Sequence, residues 1–145
     1  MNQTLLAAAA VVIGITAVAA QSDPIAARRE IMKGVGAQTK AGAAMAKGEA
    51  PFDQGKAVQI FTTYEDAAAK MPNLFPPNSK TGGETTAAAK VWEDKAGFDK
   101  GFAKFGDDAK KAKSTVKDLD SFKANFGGVT KNCGGCHESY RVKKG

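Results

Sequence analysis

The chain has 145 residues with a single His and two Cys, and its Lys+Arg 21 against Asp+Glu 15 give a formal net charge of +6. One His excludes any site that needs two imidazoles from one chain, and two Cys exclude a multi-disulfide scaffold or a four-cysteine zinc or iron–sulfur centre. The length suits one domain with a sizeable core, and the basic balance favours acidic partners without pointing to nucleic acid.

Residues 5–20 carry no charge, and the first charged side chain is Asp23. That apolar stretch is shorter than the roughly 20 residues of a membrane span and ends in Ala17-Val18-Ala19-Ala20. Residues 1–20 therefore read as a signal peptide, cleaved after Ala19 or Ala20, although Met1-Asn2-Gln3-Thr4 offers only the terminal amine as positive charge. The mature chain, residues 21–145, is expected in the periplasm with no membrane span left. It keeps every charged residue.

Asp23 followed by Pro24 is a helix start, an acceptor at the N-cap and Pro at the first helical position. The helix is expected to run to about Lys47, with Gly48 as its stop. Gly34, Gly36 and Gly42 weaken it, which suits places where backbone approaches something closely. A second helix fits from about Asp53 to Met71, with Phe61, Tyr64, Ala68 and Met71 at helical spacing. The proline-rich stretch 72–86 is a long loop.

A third helix is expected to start at Thr85 or Thr86, both good caps. Val91, Phe98, Phe105 and Ala112 recur every seven residues, with Phe102 and Ala109 between them, as in the seam of a bundle. The fourth helix begins near Asp118 or Asp120. Its stripe is Leu119, Phe122, Phe126, Val129, Cys133, Cys136 and Tyr140. The fold class is all-α, an antiparallel four-helix bundle.

Cys133-Gly134-Gly135-Cys136-His137 is C-x-x-C-H, the attachment signature of a covalent c-type haem. On a helix the two thiols share a face, in reach of both vinyl groups of one porphyrin, and the next imidazole comes up under the iron. A thioredoxin-like redox pair would need a βαβ unit beside it. A zinc site would need a fourth ligand that could only be a carboxylate. A bare disulfide would close too small a loop to stabilise much. Both Cys lie on the core stripe, so the haem is expected in the bundle interior, one per chain.

The C-terminal run Cys133 to Arg141, C-x-x-C-H-x-x-Tyr-Arg on the last of four helices, resembles the cytochrome c′ family. The resemblance extends over the mature chain through Arg28-x-x-x-Met32, Leu74-Phe75-Pro76 and Val91-Trp92. It implies that the distal side of the haem faces helix one, where ordinary cytochromes c′ have a bulky residue that does not bind iron. Here that place holds Met32, four residues after Arg28, which resembles the methionine-ligated cytochrome c-556 branch. The resemblance implies His137 and Met32 as axial ligands and Arg28 near a haem propionate. Met45 and Met71 read as core. Arg28 taken alone is also readable as a surface charge. Arg141 suits the macrodipole at the helix end, or orients the surroundings of the proximal imidazole.

These residues imply an electron carrier rather than an enzyme, since no second His is available as a distal acid–base group. The alternative is a five-coordinate cytochrome c′-type binder of nitric oxide or carbon monoxide. Two ionised propionates bring the holoprotein to about +4 by formal count. A basic rim would steer an acidic redox partner to a monomer or homodimer. Neither the aromatics nor the lysines form a nucleic-acid module.

Overall fold

The computed structural model describes residues 23–143; the expected signal peptide, 1–20, lies outside them. Four long helices form the bundle: α1 (Pro24–Ala46), α2 (Gln54–Lys70), α4 (Lys95–Thr115) and α5 (Leu119–Tyr140), with a one-turn α3 (Lys90–Glu93) leading into α4. Helix α2 packs most extensively on α4, α4 also meets α5, and α1 leans on α2 and α5. The connections α1–α2 and α4–α5 are short, which makes those neighbours antiparallel.

The helix ends follow local chemistry. Asp23 accepts from the Ile25 N–H at 2.9 Å at the start of α1. At its other end Gly48 takes φ +75°, the Gly48 N–H donates to Met45 O and the Glu49 N–H donates to Ala44 O. That pair of bonds is a Schellman cap, and the positive φ is why Gly stands there. Asp118 and Ser121 close a reciprocal capping box on α5. Between α2 and α3 the loop makes two short 3-10 turns, Met71–Leu74 and Pro77–Ser79.

Helix three does not start at Thr85 or Thr86. Residues 86–88 instead pair with the end of the chain: the Val142 N–H donates to Thr86 O and the Ala88 N–H donates to Tyr140 O, both at 2.9 Å. Ala87 and Arg141 form a single antiparallel bridge, the one β pairing among the described residues. Their hydrogen bonds being spent across the bundle, these residues cannot enter a helix. Asp94 then interrupts α3 from α4 and caps α4 through the Gly97 N–H at 3.1 Å.

The expected seam is the core. Phe98, Phe102, Phe105, Ala109 and Ala112 of α4 and Phe122, Phe126 and Val129 of α5 are all buried, with Phe61 and Tyr64 of α2 between them. Met45 and Met71 are buried in this core, as expected. Of the three glycines of α1, only Gly42 is a close approach: a Cβ there would sit 2.8 Å from Phe126 Cζ, whereas Gly34 and Gly36 face open space. Phe122 is fully buried, with ring centroids 5.9 Å from Phe61 and 5.2 Å from Phe126. Phe122→Ala is expected to cost about 3–5 kcal/mol of stability, by lost burial and the cavity left behind. Denaturant unfolding of the variant against the parent protein measures that difference.

Candidate functional site

A cleft of about 610 Å³ opens between α1, the loop 72–86, α4 and the C-terminal turns of α5. Cys133, Cys136, His137, Met32, Arg28 and Arg141 all line it, so the structure brings every residue singled out from the sequence to one place. Its apolar wall is Phe75, Phe98 and Phe102, and Gly36 leaves the α1 side open. The volume lies within the range usual for cofactor sites, and the apolar lining with a few convergent polar groups is their usual character.

On α5 the two cysteines are half-buried, one turn apart and not joined to each other. Burial raises both thiol pKa values. His137 follows at the cleft edge. Desolvation, and then the nearby Arg141, lower its pKa, which favours the neutral imidazole a metal needs. Gly134 and Gly135 have nothing within 4 Å of where a Cβ would stand, so the outer side of the motif is unobstructed. Arg141 lies one residue past α5, its N–H donating to His137 O at 3.3 Å. It thus caps the helix end and lines the cleft beside the imidazole.

The last helix is braced from α4. Tyr140 donates its O–H to Asp94 Oδ2 at 2.8 Å, and its ring meets Phe98 edge-on at 5.2 Å. The Tyr140 bond, and then the Gly97 N–H, hold the Asp94 carboxyl below its usual pKa. On the α1 side of the cleft lining, Thr39 donates to Val35 O at 2.8 Å, which leaves its oxygen to accept from the Tyr64 hydroxyl at 2.7 Å. Burial, the largest cause, pushes the Tyr64 pKa up to about 12.

Met32 is the half-buried methionine of the cleft, on α1, and it shares an adjoining apolar recess with His137, Cys133 and Cys136. Met71 also reaches the cleft but is only 4% exposed, and Met45 does not line it.

Arg28 is neither a surface charge nor free at its tip. It is 5% exposed, with its guanidinium 4.5 Å from the Phe75 ring centroid. Its Nη1 donates to Leu74 O and Ser79 Oγ, and its Nη2 to Ser79 O and Thr85 Oγ1, at 2.6–3.1 Å. No carboxylate among the described residues pairs with it. Sequence reasoning missed this network, as it did the Tyr140–Asp94 bond. The acceptors are loop groups 46 to 57 residues away, and no local pattern signals them.

The donor set fits a haem. Two thiols, an imidazole and a thioether share one apolar cleft, whose lining also carries the cations Arg28, Arg29 and Arg141 to balance the charge of propionates. A sequence profile described as Cytochrome C′ matches residues 23–141. The chain belongs to the cytochrome c′ family. It is 50% identical to a cytochrome c′ of Rhodopseudomonas palustris over 92% of each chain. It is 34% identical to a cytochrome c-556 of the same organism over the full length of both. The solved structure of the Rhodopseudomonas palustris cytochrome c′ superposes with a TM-score of 0.83, covering 86% of this chain and all of that one at 50% identity. Membership makes the protein a monohaem c-type cytochrome with covalent haem c, in agreement with its one C-x-x-C-H motif. No helix among the described residues is long and apolar enough to cross a membrane.

Proposed function

We propose that this cytochrome is a periplasmic one-electron carrier, with haem joined to Cys133 and Cys136 and with His137 and Met32 as axial ligands. The observation that carries the reading is the place of Met32: it stands on the α1 wall of the same cleft, and in the same recess, as His137. The c-556 relative supports it over full length. When bound, the haem supplies an iron that takes up or gives back one electron.

The chain's own residues do the rest. Cys133 and Cys136 tether the group to α5, and His137 offers a neutral imidazole from the next position. Met32 offers a soft thioether, which favours a low-spin iron and a raised potential. Phe75, Phe98 and Phe102 keep water from the interior of the cleft. Because α1 and α5 are fixed by the packed core, both ligands hold their places and little has to reorganise. The cleft rim carries Arg29, Lys33 and Arg141, and its one acidic residue, Glu84, is ion-paired with Arg29. That balance supports an acidic redox partner, whose encounter would weaken as salt rises.

A potentiometric titration tests the carrier role. The expected result is one reversible one-electron wave, with the low-spin bands in both oxidation states. An irreversible wave, or a change of spin state on reduction, speaks against it.

A further inference from the structure

We propose that Arg28 is a positioning residue: it clamps the loop 72–86 onto α1 and so keeps the loop-side wall of the cleft closed over the Met32 side. Its four hydrogen bonds reach three separate points of the loop, Leu74, Ser79 and Thr85. They use both terminal nitrogens of the guanidinium, whose planar fork matches such a spread of acceptors, whereas a lysine ammonium is a single point. Phe75 packs against the same guanidinium, and Phe75, Thr85, Thr86 and Ala87 form the loop side of the cleft. Met32 follows Arg28 by one helical turn on the same face. One side chain therefore ties the loop to the turn that presents Met32.

Outside the clamp the loop is tied near its two ends, where Trp92 donates to Phe75 O and the Val142 N–H to Thr86 O, both at 2.9 Å, and at the surface by the ion pair of Glu84 with Arg29. Gly82 and Gly83 take φ +90° and +53°, and their segment has no helix or ladder of its own. Ser79 is the centre of the clamp. It is 1% exposed, its hydroxyl donates to Pro76 O at 2.8 Å and accepts from Arg28, and it does not line the cleft. The proposal rests on the haem lying in the cleft as proposed above; ligation by Met32 enters only its spectral readout.

Ser79→Ala tests it, because it removes one acceptor of the clamp while leaving every charge and every cleft-lining side chain in place. Arg28→Lys keeps the charge and loses the fork. Amide hydrogen exchange across residues 79–88, where the Ser79, Ala87 and Ala88 N–H groups are hydrogen-bonded, is measured on the haem-loaded proteins, and the rate of carbon monoxide association on the same variants in a Met32→Ala background, whose iron is open to the gas. Exchange in that segment is expected to quicken roughly tenfold in both variants, as for a local opening that has lost a buried charge-assisted hydrogen bond. Carbon monoxide association is expected to quicken with it, while the far-ultraviolet circular dichroism stays that of the parent. Wild-type exchange in Ser79→Ala overturns the clamp. Faster exchange with an unchanged association rate overturns the positioning role. If Arg28→Lys does not fold, Ser79→Ala decides alone. A parent protein with broad high-spin bands shows instead that the Met32 reading has failed, and the two rates still judge the clamp.

Discussion

Met32→Ala is expected to abolish the low-spin spectrum of the haem-loaded protein and to open the iron to carbon monoxide. The thioether is the one soft ligand placed on the α1 side of the cleft in an accessible setting. Alanine has no donor atom, and no second His exists to replace it. The midpoint potential is expected to fall with it, because a thioether favours the reduced iron. Two controls separate ligation from packing. Met45→Ala removes a side chain that is 3% exposed and is expected to cost about 2–5 kcal/mol of stability, yet to leave the spectrum low-spin. Met71→Leu, a swap of similar volume at the inner wall, is expected to cost under about 1.5 kcal/mol and likewise to keep the spectrum. Absorption spectra and denaturant unfolding of the three variants check this. A low-spin Met32→Ala protein removes Met32 as the ligand.

Loss of both thiols is the second large effect. In a Cys133→Ala, Cys136→Ala protein no thioether can form, and haem is expected to be extracted completely by acidified organic solvent, whereas the parent protein retains it. Each single variant keeps one attachment point and is expected to retain haem under the same treatment. The cause is the helical spacing of C-x-x-C, which sets both sulfurs toward the same cleft. Haem that resists extraction from the double variant would mean that the tether lies elsewhere.

The bundle was legible in the sequence because its signals are local. Seven-residue spacing from Val91 to Ala112 reports which face is buried, and Asp23-Pro24, Gly48 and Asp118 are caps that act within a turn. The C-x-x-C-H motif is legible for the same reason. Long-range pairing leaves no such local signal. Thr85 and Thr86 look like helix caps in isolation, and only the return of residues 140–142 explains why they are not. Arg28 taken alone looked like a surface charge, since its burial comes from a loop far along the chain. Met32 lies between these cases. Its helix and face follow from spacing, but that it shares a cleft with His137 is not legible in the sequence alone, and its role as a ligand comes from family resemblance.

The central claim is that Met32 closes the sixth position of the iron, and the visible spectrum of the reduced wild-type protein with and without carbon monoxide tests it most directly. The account predicts sharp, split low-spin bands that the gas leaves unmoved. Broad high-spin bands that shift at once on adding carbon monoxide would contradict it and make the protein a gas binder with Met32 as packing.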